Sequence, residues 1–145
     1  MITYNYAEVH GRKMYYCEAG DKSAPTIVLL HGFPSSSHMY RNLIPQLADA
    51  FHVIASDYIG FGYSDAPDVA EYSYTFDNLA THVEELLFGV LGLKQSSIYV
   101  QDYGSLSDDA PHSIVLSREP TAGFACWARL RWCCDRSSNR REGEI

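Results

Sequence analysis

Apolar positions along the chain fall into two rhythms, one alternating and one helical. Thr3 to Val9 and Lys13 to Ala19 are short β-prone segments joined around Gly11, which predicts an antiparallel pair. Thr26-Ile27-Val28-Leu29-Leu30 is apolar almost without interruption and stops at His31-Gly32. That is the pattern of a strand buried on both faces, and so of the centre of a sheet. Ser35, Ser36 and Ser37 then offer capping oxygens ahead of Met39, Leu43, Ile44 and Leu47, which recur at helical spacing. A further strand is expected over 51–56, and Gly60, Gly62 and Pro67 exclude regular structure from the loop beyond it. Thr75 can cap a helix whose body runs from 78 to 91 and whose apolar stripe is Leu79, Val83, Leu86, Leu87 and Val90. Ser97 to Val100 is a last buried strand, ending at Gln101-Asp102-Tyr103-Gly104.

The predicted order is β-β-β-α-β-α-β. Its later alternation implies an α/β fold in which an antiparallel opening pair leads into a parallel sheet with right-handed crossovers. Ligands of such sheets sit beyond the carboxyl ends of the strands. His31-Gly32, Asp57 and Asp102 are all expected there.

Composition narrows the class of partner. The chain has 145 residues, is 46% apolar and carries a formal charge of -7, which suits one soluble globular domain. Without a basic surplus to neutralise phosphates, neither nucleic acid nor an anionic membrane surface is an expected partner. The N-terminal residues lack a basic and then apolar leader pattern, and no run approaches the roughly 18 apolar residues of a membrane span. A cytoplasmic location is therefore expected. The four cysteines, Cys17, Cys126, Cys133 and Cys134, show neither a disulfide framework nor zinc-ligand spacing, and they read as reduced thiols. His10, His38, His52 and His82 likewise lack ligand spacing, so no metal and no cofactor is expected.

The strongest chemical signal is a strand, then x-Asp-x-Gly, then an expected helix. This is a sharp turn that lifts one side chain above the sheet. Gly104, lacking a Cβ, lets the turn pack closely. A carboxylate at that apex, Asp102, can displace a leaving group at a saturated carbon and form an alkyl ester with the protein, which water must then cleave. The oxyanion of that second step needs donors aimed at it in advance. The backbone N–H of Tyr103 supplies one, and the N–H of Phe33 in the loop His31-Gly32-Phe33-Pro34 is the natural second. Pro34 stiffens that loop, and its peptide bond is a candidate for the cis isomer. Asp57 and Asp65 lie in a glycine-rich loop where Asp ordinarily accepts from backbone N–H groups, so their expected role is structural. His31 is expected to order its loop.

Three motifs now stand in sequence: Leu30-His31-Gly32-Phe33-Pro34, Asp57-x-x-Gly60-x-Gly62-x-Ser64-Asp65 and Val100-Gln101-Asp102-Tyr103-Gly104. Together they resemble the front half of the epoxide hydrolase and haloalkane dehalogenase branch of the α/β-hydrolases, over about residues 3–105. The resemblance implies a small-molecule substrate, an epoxide or an alkyl halide, with Asp102 as nucleophile and Phe33 and Tyr103 as oxyanion donors. It also implies that a dehalogenase holds its leaving halide with Trp after the nucleophile and usually Asn in the His-Gly loop. This chain has Tyr103 and Phe33 at those places. His-Gly-Phe-Pro is similar to epoxide hydrolases, which usually carry Trp after the Asp as well, so the epoxide reading is favoured over carbon-halogen cleavage.

Residue usage changes after Gly104. All 11 Tyr precede it, whereas both Trp, three of four Cys and six Arg lie beyond it. Residues 1–104 hold 5 basic against 12 acidic side chains, and residues 105–145 hold 6 of each. Asp108, Asp109 and Pro111 occupy what should be an apolar helix, and Pro111 interrupts it. In the resembled family the acid and the water-activating His come well after the nucleophile. Here Asp108, Asp109 and His112 are crowded within ten residues of Asp102, too local to approach it from across a cleft. The expectation is that residues 1–104 are the N-terminal part of such a domain and that 105–145 are a shifted reading frame or a mis-joined segment. The chain would then be a truncated, inactive fragment, or a non-enzymatic remnant that binds a small apolar ligand or a partner. A shifted frame downstream of codon 104 should then encode a helix, a cap segment and a His-bearing strand. Sequencing the coding DNA checks this, and a continuous native frame ends the idea.

Overall fold

The structure, a computed structural model, describes residues 1–101. Among the described residues five strands form one sheet: β1 (Ile2–Val9), β2 (Arg12–Ala19), β3 (Thr26–Leu30), β4 (His52–Ser56) and β5 (Ser97–Val100). Their spatial order is β1-β2-β4-β3-β5. β1 pairs antiparallel with β2 and β2 antiparallel with β4, while β3 runs parallel to both β4 and β5. The α/β class and the antiparallel opening that leads into a parallel sheet are thus as the patterning predicts, with β3 between two parallel neighbours.

The β1–β2 hairpin closes through His10 and Gly11, both at positive φ (48° and 71°). Two such residues make the two-residue turn whose twist matches that of the flanking strands. Parallel β3 and β4 need a crossover, and it is built in two pieces, a 3-10 turn at Ser37–Tyr40 and a short helix α1 (Ile44–Leu47). The single helix expected across Met39 to Leu47 does not form. Pro45, in the first turn of α1, has no N–H to donate, and its ring would meet the carbonyl four residues back, so the helix restarts there. Nor do the serines cap it with their side chains: Ser36 stands at the N-cap position without a side-chain bond.

The second crossover carries α2 (Phe76–Glu84), capped as expected by Thr75, whose hydroxyl accepts from Asn78 N–H at 3.2 Å. Beyond it the coil widens into a π-helical turn, Glu85–Val90, where Leu91 N–H reaches the Leu86 carbonyl at 2.9 Å. One extra residue in the turn rotates the remainder of the helix about its axis. Leu79, Val83, Leu86 and Leu87 stay buried against the sheet, but Val90, expected on the same stripe, is exposed.

Alternation along the strands supplies both faces of the sheet. Val28, Leu30, Ile54 and Ile98 pack with Leu79, Val83, Leu86 and Leu87 on the α2 side. Leu29, Val53 and Ala55 pack with Tyr40 and Ile44 on the α1 side. β3 and β4 are covered on both sides, which is why their sequences read as continuous apolar runs. Each fully buried Val, Leu or Ile among them contributes roughly 1.5–3 kcal/mol. The sheet they stabilise presents the ends of β3, β4 and β5 along one rim. No helix among the described residues is long and apolar enough to cross a membrane.

Candidate functional site

Two loops leave that rim, 31–36 after β3 and 57–65 after β4, and a buried carboxylate joins them. Asp57 is fully buried. Its Oδ1 accepts from Ser37 N–H at 2.6 Å and its Oδ2 from Tyr63 N–H at 2.9 Å. Gly62 sits at φ +54, and a Cβ there would collide with Asp57 Oδ2, so glycine is required for the loop to fold over the carboxylate. The loop is also fastened to the part of β2 that β4 does not cover. Asp57 N–H donates to the Tyr15 carbonyl (2.9 Å), and Ser64 Oγ donates to the Asp57 carbonyl (2.7 Å) while accepting from Tyr15 N–H (2.9 Å). Asp65 Oδ2 accepts from Lys13 N–H at 2.7 Å. The structural reading of Asp57 and Asp65 matches this geometry.

His31 does the equivalent work for the other loop. Its Nε2 accepts from Tyr58 N–H at 3.2 Å, which leaves the proton on Nδ1 to donate to the Gly32 carbonyl at 2.9 Å. The ring is completely buried. Burial pushes its pKa down, against the smaller upward pull of the Gly32 carbonyl and of Asp57. His31 is therefore neutral and occupied at both nitrogens, an organiser of the loop and not a base. The Gly32 carbonyl also accepts from Ser35 N–H at 3.0 Å, and the Phe33–Pro34 peptide is cis. Phe33 stands at the apex of this turn, 64% exposed. Its ring meets Phe61 edge-on at 6.3 Å, and Phe61 in turn packs on His31 at 5.4 Å.

The third strand end lies alongside. Gln101 N–H donates to the Leu30 carbonyl at 3.2 Å, so the chain leaves β5 beside the residue that opens the His31-Gly32-Phe33 loop. Asp102 and Tyr103, the expected nucleophile and second oxyanion donor, lie outside the described residues, as do Asp108, Asp109 and His112.

A sequence model of the alpha/beta hydrolase fold matches residues 25–106, more than half of the chain. The chain belongs to that family. It is 48% identical over 95 residues to an uncharacterized hydrolase of Saccharomyces cerevisiae, covering 66% of this chain and 32% of that one. With a haloalkane dehalogenase of Mycobacterium marinum it shares 44% identity over 127 residues, 82% of this chain and 41% of the relative. Among solved structures, the haloalkane dehalogenase DbeA from Bradyrhizobium elkanii superposes with a TM-score of 0.65 at 38% identity, over 72% of this chain and 34% of its own. The epoxide hydrolase CorEH does so with 0.64 at 38%, over 72% and 35%. The chain thus spans about a third to two fifths of the length of these relatives.

Of the residues singled out in the sequence, the structure brings together His31, Phe33, Asp57 and the exit of β5. Of the other described histidines, His10, His52 and His82 lie elsewhere. His38 is exposed, His10 and His82 face each other near the β1–β2 turn, and His52 starts β4 at the opposite rim. Among the described residues no three His, Cys, Asp or Glu side chains are placed to hold a metal ion. Cys17 is a buried free thiol. The parts that sequence reading missed are Ser37, Tyr63 and Tyr15, whose backbone groups carry the network. Backbone donors leave no trace in residue type, although Ser64 and Gly62 mark the loop that uses them.

Replacing Asp57 by Asn sets an amide N–H₂ against one of two buried backbone donors. It should lower stability by about 1–3 kcal/mol, read as a fall in the urea midpoint. An unchanged midpoint would refute the role given to the carboxylate. For His31 the folded pKa lies below the unfolded value. The unfolded chain therefore takes up a proton first as pH falls through about 6.5, and stability drops below that pH while staying flat above it. In His31→Gln the slope between that pH and the acid range should shrink, as measured by urea unfolding at a series of pH values.

Proposed function

We propose that this chain carries the nucleophile-bearing half of a hydrolase that opens an epoxide through a covalent ester on Asp102. The observation that carries the reading is the bond from Gln101 N–H to the Leu30 carbonyl. It brings the strand preceding Asp102 beside the turn whose apex is Phe33. A carboxylate one residue further on would attack the epoxide carbon, the C–O bond would open, and the alkoxide would take a proton from water as the ester forms. Hydrolysis of that ester would then place negative charge on its carbonyl oxygen. The N–H of Phe33 is held by a turn that His31 and Asp57 fix before any substrate arrives. A donor of that kind, with Tyr103 N–H as its partner, is suited to stabilising the charge without reorganisation.

Cleavage of a carbon-halogen bond by the same attack is the second reading, and the haloalkane dehalogenase relatives favour it. Phe33 favours the epoxide, because it puts an apolar ring where a halide would need a polar side chain to hold it. The two readings share the ester and differ in the leaving group. Among the described residues His31 is not a free base for water, since both of its nitrogens are occupied, and His10, His52 and His82 face other parts of the fold. We assign the first step to Asp102.

Incubation of the purified chain with styrene oxide, and separately with 1-bromobutane, with mass spectrometry of its peptides afterwards, tests this. The expected result is an ester on Asp102 with the epoxide, lost in Asp102→Asn. A stronger adduct from the bromide would shift the assignment to carbon-halogen cleavage. Absence of any adduct on Asp102 would refute the nucleophile.

A further inference from the structure

The rim of the sheet opposite the candidate site holds a second constellation. Strands β2, β4 and β3 are neighbours in that order. Thr26 and His52 are direct register partners across β3 and β4, and Glu18 lies on β2 opposite Ile54, one side-chain step from His52 on the same face. The three side chains make a row across the sheet. His52 Nε2 is 2.8 Å from Glu18 Oε1, and His52 Nδ1 is 3.2 Å from Thr26 Oγ1. The imidazole is buried, the carboxylate largely so, and Thr26 is partly exposed.

Protons can be assigned along this row. Burial of Glu18 opposes its ionisation, but hydrogen bonds from Lys22 and His52 outweigh it, and its carboxyl sits below the usual carboxylate range. An ionised Glu18 accepts from His52 Nε2–H, and in the neutral ring that tautomer leaves Nδ1 as a lone pair facing the Thr26 hydroxyl. A hydroxyl, a neutral imidazole and an orienting carboxylate in that order are the parts of an activated oxygen nucleophile. Lys22 Nζ, exposed, reaches the same Glu18 oxygen at 2.8 Å and marks the solvent side of the row.

We propose that Glu18, His52 and Thr26 form a second nucleophilic site, in which the Thr26 hydroxyl takes the acyl group of a small activated ester. In the step a bond forms between Thr26 Oγ and the acyl carbon, and the ester C–O bond breaks. The hydroxyl proton passes to His52 Nδ1 and from there to the departing oxygen. No cofactor or redox partner is needed, and the site is independent of Asp102.

The test is labelling of the whole chain with p-nitrophenyl acetate at neutral pH, with the acetylated residue located by peptide mass spectrometry. Acetyl on Thr26 is expected. It should be lost in Thr26→Val, kept in Thr26→Ser, and slowed about 100-fold in His52→Gln, the range for removing a general base. Glu18→Gln, which keeps the side-chain shape, should slow it as well and serves if His52→Gln fails to fold. Acetyl confined to Lys22 or other amines would overturn the proposal, as would Thr26 labelling at the same rate in both His52→Gln and Glu18→Gln. Either result would leave the row as a set of satisfied hydrogen bonds.

Discussion

The geometry of the rim depends on one fully buried carboxylate. Asp57 accepts one backbone N–H from the segment after β3 and another from the loop after β4, and its own backbone is bound to β2. Two stretches of chain are thereby referred to a single pair of oxygens, and a third, β2, to the backbone of the same residue. A carboxylate withdrawn from water is stable only when its lone pairs are used, and hydrogen bonds to it are stronger than neutral ones. The converse also holds. The loops can hold an irregular path because their polar groups have a common acceptor, and the glycine at 62 is the concession that lets the backbone close over it.

His31 extends the same logic with a neutral ring. Its two nitrogens link Tyr58 to Gly32, so the loop after β4 also braces the turn that presents Phe33. The aromatic rings of His31, Tyr58 and Phe61 pack edge to face beneath it, and only Phe33, at the outer end of the row, is widely exposed. The exposed turn is thus supported from below by packed rings and from the side by backbone hydrogen bonds. The role proposed for the Phe33 N–H would draw on such support, since a donor that must first be aligned contributes less to stabilising developing charge.

The sequence made the strands, the α2 cap and the fold class legible because burial on both faces leaves continuous apolar runs in β3 and β4, and capping leaves a Thr before a periodic stripe. It also placed the His-Gly-Phe-Pro turn and the Asp57 loop at the strand ends, since glycine and proline punctuate where strands stop. The split of the first crossover was legible in principle, in Pro45, but the spacing of Met39, Leu43 and Leu47 made the stronger pattern. The outward turn of Val90 was not. A π-helical turn inserts a residue for reasons of packing along the whole helix, and no single residue type announces it. The network about Asp57 was half legible: the acceptor is a side chain and can be read, whereas its donors are main-chain N–H groups of Ser37 and Tyr63, common to every residue but proline. Nor does the sequence show the row of Glu18, His52 and Thr26, because 34 positions separate Glu18 from His52 and only the sheet order makes them neighbours.

The bonds that brace the two rim loops all lie between residues 13 and 65. During synthesis these residues are made before those of β5, and N-terminal segments begin to fold first. All the parts that brace the Phe33 turn therefore precede β5 along the chain. Insertion of β5 next to β3 then adds one strand to a frame already bearing its loops. The order in which the chain is made is also the order in which the rim can be built, with the two braced loops preceding the strand that leads to Asp102.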